Sequence, residues 1–176
     1  LVEDIAAADL RARLSVKPTQ LGLYAEDGLF EEHLADLADH AGDHGVFLWV
    51  DMEGPDTVEA TLSAYEEQAR AGRPVGVCLQ ANLARTPEDI ERLADPDGVV
   101  RLVKGAYDPP AGEGYREHER VREAYEECLE ALFRTHDRVA VGTHDPALLA
   151  RAATLHEEYG TPYELQMLMG VRTDTQ

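Results

Sequence analysis

Six short apolar runs in this chain each end on, or just before, a side chain that could do chemistry. Lys17 closes the first, and Asp51 with Glu53, Gln80, Arg101 with Lys104, Thr143 with His144, and Gln166 mark the others. A packed interior would need a partner for every one of these groups, whereas a ligand site supplies partners. Lys17, Arg101 and Lys104 are cations that could hold a carboxylate, a phosphate or an anionic ring, and Asp51 could pair with one of them. Gln80 presents both a donor and an acceptor to the edge of a heterocycle. Thr143-His144 stands directly before a helix start at Asp145-Pro146, where backbone N–H groups and the helix dipole favour a phosphate. Gly105-Ala106 lets a backbone approach a ligand closely. Together these features describe a cofactor with a polar ring and a phosphate tail.

Each residue also has a plainer reading. Asp51 and Arg101 can form a structural ion pair, His144 can be a satisfied core histidine, and Gln80 can cap its strand. Lys104 could be the Schiff-base lysine of an aldolase-like barrel. A fragment that only binds or assembles, with no activity, is a further alternative. Phe47 and Trp49, and likewise Met167 and Met169, read as core packing. The other six histidines lie mostly on helix faces. No spacing of His, Asp and Glu suggests a metal ligand set, so none is expected.

The elements that must position these groups alternate strictly. Apolar, often β-branched runs at Leu14–Lys17, Val46–Asp51, Val75–Gln80, Val99–Lys104, Val139–Thr143 and Tyr163–Met169 read as parallel strands covered on both faces. Between them Leu29–Ala41 places Phe30, Leu34, Leu37 and Ala41 on one stripe. Thr57–Arg70 carries Val58, Leu62, Tyr65 and Ala69, and Arg116–Arg134 turns Val121, Tyr125, Cys128, Leu129 and Leu132 inward. Thr86-Pro87 and Asp145-Pro146 each read as a cap followed by a first-turn proline, and Tyr159-Gly160 ends the last helix. This order selects an α/β fold with a parallel sheet. A (β/α)8 barrel and a doubly wound open sheet both fit, but no Gly-rich dinucleotide fingerprint follows the first strand. In a barrel, strand C-terminal ends are where catalytic residues belong.

Composition narrows the function further. Asp and Glu number 35 against 16 Lys and Arg, a formal charge of −19, so the basic patch of a nucleic-acid binder is lacking. A hydrophobic content of 44% in regular blocks argues for folding in spite of that charge. Such an acidic chain suits a high-salt cytoplasm, where screening suppresses self-repulsion, and a halophilic source is expected. Only two of the cationic residues are lysines, Lys17 and Lys104, which makes both look placed for chemistry. Cys78 and Cys128 have no metal or disulfide spacing and read as buried core. With no signal pattern and no long apolar run, the expected compartment is the cytoplasm. The chain opens on Leu1 and stops at Gln176 soon after a strand, as a piece of a longer protein would.

Val100-Arg-Leu-Val-Lys-Gly-Ala-Tyr107 resembles the signature strand of the proline dehydrogenases. Leu14-Ser-Val-Lys17 resembles that family's second barrel strand, Val50-Asp-Met-Glu53 the third, and Leu79-Gln-Ala-Asn-Leu83 the fourth. Gly142-Thr-His-Asp145 resembles the sixth and Tyr163-Glu-Leu-Gln-Met-Leu-Met-Gly170 the seventh. Asn82 departs from the usual tyrosine, and Gly142 and Asp145 from the usual alanine and asparagine. The resemblance implies a TIM-type (β/α)8 barrel over residues 1–176, incomplete at about strands 2 to 7, in which FAD oxidises L-proline to Δ1-pyrroline-5-carboxylate. Electrons would pass to a quinone-type acceptor, with the protein peripheral at the membrane for that step, and a pyrroline-5-carboxylate dehydrogenase would be a partner. By position, Arg101 would stand near the flavin N5. Met52, Gln80, Lys104, Gly105, Ala106, Thr143 and His144 would also contact the cofactor. Lys17 would bind the proline carboxylate and Asp51 would belong to the same charge network, while Tyr107 and Leu168 would wall the substrate pocket. The family's carboxylate-clamping arginine pair, after its eighth strand, falls outside these residues.

Overall fold

The computed structural model describes residues 1–94 and 99–171. The chain packs as two compact units, Leu1–Cys78 and Leu79–Gln176.

The first unit begins with a short helix α1 (Val2–Ala7), then strand β1 (Leu14–Val16), helix α2 (Leu29–Asp43), strand β2 (Leu48–Val50), helix α3 (Val58–Arg70) and the start of strand β3 (Val75–Gln80). The three strands run parallel, with Val16 opposite Val50 and Val50 opposite Val77. Every residue of β3 is buried, as a Val/Leu-rich strand covered on both faces must be. Helix α2 buries Phe30, Leu34, Ala38 and Ala41, so the buried row passes through Ala38 and the expected Leu37 lies at its edge. Val2 and Ile5 of α1 join Ala41 and Val46 in one apolar cluster, with Ala6, Leu14 and Leu37 against it. That cluster ties α1 to α2.

The second unit carries helix α4 (Thr86–Arg92), strand β4 (Val99–Val103), helix α5 (His118–Thr135), strand β5 (Val139–Gly142), helix α6 (Pro146–Tyr159) and strand β6 (Tyr163–Gln166). Strands β4, β5 and β6 are parallel in sequence order, with Arg101 opposite Ala140 and Gly142 opposite Gln166. Helix α5 buries Ala124, Tyr125, Cys128, Leu129, Leu132 and Phe133, while Val121 is only partly covered. The Tyr125 hydroxyl donates to the Leu102 carbonyl at 2.9 Å, which satisfies a buried polar group and fixes α5 on β4. Asp145 caps α6 with its side chain, and Gly160 ends that helix in the left-handed conformation at φ 76°, both as the sequence predicts.

The strands are shorter than the apolar runs. β2 omits Val46, Phe47 and Asp51, and β6 ends at Gln166, before a turn that leaves Met169 96% exposed rather than in the core. Thr86 is the first residue of α4 instead of its cap, and its hydroxyl donates to the Gln80 carbonyl at 2.5 Å. Cys78 and Cys128 are free thiols and buried. Trp49 is buried with the Phe47 ring edge-on at 5.2 Å, which bears out packing for this pair. No described helix is long and apolar enough to cross a membrane.

Candidate functional site

In the first unit the polar groups gather just past the paired ends of β1 and β2. Val16 and Val50 are the last register pair, so Lys17 and Asp51 leave their strands side by side. Lys17 Nζ donates to Asp51 Oδ2 at 3.3 Å, and Ser15 Oγ donates to Asp51 Oδ1 at 3.1 Å. Asp51 therefore presents a carboxylate already engaged on both oxygens, and Lys17 a partly exposed ammonium held against it. Glu53 accepts from the Thr19 backbone N–H and hydroxyl, each at 2.9 Å. These bonds pin the 3-10 turn Pro18–Leu21 that follows Lys17. Met52, between Asp51 and Glu53, is buried.

In the second unit Arg101 projects from β4 and donates to Gln166 Oε1 at 3.2 Å. The chain of contacts continues from Gln166 Nε2 to Glu164 at 2.6 Å and from Arg138 to Glu164 at 2.7 Å. A Cβ at Gly142 would stand 2.8 Å from Val103 Cγ1 and 3.0 Å from the Leu102 carbonyl oxygen, so an alanine here would require the Val103 side chain to shift.

Lys104 follows β4 and donates to Asp145 Oδ2 at 2.9 Å. The other oxygen of that carboxylate accepts from the Ala147 N–H at 3.1 Å at the start of α6. The Lys104 hydrogen bond is the main cause that holds the Asp145 carboxyl below its ordinary value, opposed by partial burial and aided by the backbone N–H groups of Ala147 and Leu148. Thr143 is buried and accepts from the Asp145 N–H at 3.2 Å. His144 Nε2 accepts from the Leu168 N–H at 2.9 Å, which places the ring proton on Nδ1. Among the described residues, that buried Nδ1 has no hydrogen-bond partner. Lys104, Gly142, Thr143, His144, Asp145 and Pro146 line one open cleft of about 580 Å³.

Gly105 departs from its expected part. Its backbone is left-handed at φ 114°, and the space a Cβ would take is filled by the Asn82 side chain rather than left open to a ligand. Asn82 Nδ2 donates to the Tyr107 carbonyl at 2.9 Å, its own N–H donates to the Lys104 carbonyl at 2.9 Å, and its carbonyl accepts from Tyr115 at 2.8 Å. Asn82 is thus the clamp of the segment after β4. Sequence reasoning noticed this residue only as a departure from a pattern. Gln80 is buried, Ala106 is exposed, and Tyr107 and Leu168 are 40% and 69% exposed. Sequence reasoning also missed Asp145 as the partner of Lys104, because its cap signal explained it already.

Parallel strands in sequence order, linked by helices and carrying charged groups at their ends, define an α/β protein, as a partial (β/α)8 barrel requires. The bifunctional proline utilization A (PutA) protein superposes with a TM-score of 0.82 at 23% identity, covering 96% of this chain and 21% of that one. A variant of Bradyrhizobium japonicum proline utilization A matches equally, at 0.82 and 24%. The proline dehydrogenase family pattern matches residues 3–175, and the chain belongs to that family. Proline dehydrogenase 2 of Bacillus subtilis (strain 168) is 30% identical over 99% of this chain, and proline dehydrogenase of Deinococcus radiodurans is 28% identical over all of it. The chain spans 59% of the length of each of these relatives.

Proposed function

We propose that residues 1–176 are most of the barrel domain of an FAD-dependent proline dehydrogenase that oxidises L-proline to Δ1-pyrroline-5-carboxylate and passes the electrons to a quinone-type acceptor. The observation that carries this reading is the cleft at the start of α6. It combines a lysine, a buried threonine, a helix N-terminus and a histidine Nδ1–H without a partner among the described residues. That donor set fits a phosphate-bearing cofactor such as FAD.

Lys104, Thr143 and His144 would hold the phosphate side of the cofactor, and Gln80, Met52 and Arg101 its ring. FAD, when bound, supplies the two-electron acceptor for the C–N oxidation. Arg101 donates to Gln166 and would place a positive charge near the flavin N5, where reduction adds negative charge. Lys17 would take the proline carboxylate, with Asp51 and Ser15 setting the direction of its ammonium. Tyr107 and Leu168 would wall the pocket. Gly105 and Ala106 would shape the cofactor's path through the backbone that Asn82 clamps. In a chain of formal charge −19, these cations give anionic ligands a local attraction that the overall field opposes. The amine must be neutral to give up hydride, so turnover should rise with pH. A pyrroline-5-carboxylate dehydrogenase would consume the product, and quinone reduction would bring the protein to the membrane surface.

The Schiff-base alternative needs Lys104 as a free amine. Its ammonium is engaged by Asp145, and the family of the chain speaks for the flavin reading. Purified full-length protein should be yellow and should bleach when L-proline is added without oxygen. A colourless protein that takes up no FAD would overturn the proposal. Arg101→Met should lower kcat at least tenfold while shifting the melting temperature little, and unchanged turnover would remove Arg101 from the flavin.

A further inference from the structure

We propose that Glu3, His40 and His44 form a surface site for a divalent first-row metal ion that favours imidazole, of which Zn²⁺ is the natural probe. His40 lies in the last turn of α2 and His44 is the residue that caps its C-terminal end, and their ring centroids are 4.5 Å apart. The third group comes from another element: Glu3 lies in the first turn of α1. Candidate ligand atoms of all three side chains lie within 4.8 Å of one another. His40 Nε2 and Glu3 Oε1 are 3.7 Å apart. Tetrahedral zinc with bonds of about 2.0–2.1 Å sets its ligand atoms roughly 3.4 Å apart. The pair thus needs to close by only a few tenths of an ångström.

The tautomer of His44 suits a metal ligand. Its Nδ1 is 2.8 Å from the His40 carbonyl oxygen, which can only accept, so Nδ1 carries the proton and Nε2 keeps the lone pair. A backbone carbonyl on the far nitrogen is the usual support of a metal-bound imidazole. The His40 and His44 rings are tilted by 55° at a centroid distance of 4.5 Å rather than stacked flat. Glu3 is positioned by packing, because Val2 and Ile5 on either side of it are buried against Ala41 and Val46. All three side chains are exposed, so an ion reaches them from solvent and water completes its coordination. Two imidazoles with one carboxylate select zinc, nickel or copper over magnesium or calcium. The ion would join α1 to α2, and because it binds only where both are folded, it would stabilise the protein.

The test uses full-length protein stripped with a chelator and titrated with Zn²⁺ by calorimetry in excess Mg²⁺. One equivalent should bind, and the melting midpoint should climb with zinc. His40→Gln, His44→Gln and Glu3→Gln should each weaken binding at least tenfold, since even loss of an outer support costs about 10–100-fold in metal sites. His33→Gln, on the same helix, should leave it unchanged. The three groups are exposed, so the zinc-free variants should melt as the parent does; Glu3→Gln serves alone if a histidine variant fails to fold. Absence of zinc binding overturns the proposal. So does binding that survives in the His40→Gln/His44→Gln double variant, which would assign the ion to other histidines.

Discussion

Replacing Gly105 by alanine should destabilise the protein by about 2–4 kcal/mol. Two costs add. A non-glycine residue held at positive φ costs about 1–3 kcal/mol where the surroundings fix the backbone, and φ here is 114°. The new Cβ would also occupy the place of the Asn82 side chain, which is buried and cannot swing into solvent. Displacing Asn82 breaks its bond to the Tyr107 carbonyl, a net loss of about 0.5–1.5 kcal/mol. Urea denaturation of the full-length protein, followed by circular dichroism, reads the sum as a lowered midpoint at unchanged slope. The double variant Gly105→Ala/Asn82→Ala isolates the collision. Alanine at 82 vacates the space, so the double should be less destabilised than the two singles added, by about 1 kcal/mol. A Gly105→Ala loss below about 0.5 kcal/mol would refute the strain argument. Strict additivity would show that Asn82 is not the obstacle.

Three other perturbations probe separate parts of the molecule. Lys17→Ala should raise the KM for proline about tenfold or more with kcat less affected, since a carboxylate contact of this kind acts on ground state and transition state alike; steady-state kinetics with an unaltered KM would take Lys17 out of the substrate site. Asp145→Asn should lower the melting temperature at neutral pH, and the difference from the parent should vanish in acid. The sign follows from its depressed carboxyl: its stabilisation is present above the ordinary value of 3.8 and disappears as pH falls through the lower folded value, so a deficit that persists in acid would contradict it. Burial pushes the Cys128 thiol up to about 12, with the charge of Glu127 adding to it. Native protein at pH 8 should therefore leave Cys128 unmodified by iodoacetamide, as peptide mass mapping would show.

How far these features could be read in advance depends on where their physics lies. β3 was legible to its ends because burial on both faces makes an unbroken apolar run, and α6 because Asp-Pro and Gly are local signals of start and stop. β2 was overread: Phe47 and Asp51 continue the apolar or polar pattern in sequence, but pairing stops at Leu48 and Val50. The strand-end polar groups were legible as a set, and Lys17 with Asp51 became a pair because adjacent parallel strands leave the sheet in register. Asn82 as a clamp was not, since a glycine at 105 signals backbone freedom but not which side chain fills the space beside it. The grouping of Glu3 with His40 and His44 was invisible for a different reason. Spacing rules compare residues within one helix, and an apolar cluster brings the third group from another.

The carboxylate of Asp145 divides its two oxygens between tasks on different elements, one on the Lys104 ammonium and one on the first free N–H of α6. The arrangement works as a gauge. An anion drawn to Lys104 competes with one oxygen, and the other oxygen is then free to tighten on Ala147 or to turn away from it. An anion in the cleft should therefore change the hydrogen-exchange rate of the Ala147 amide in the first turn of α6, a readout of ligand arrival that requires no turnover.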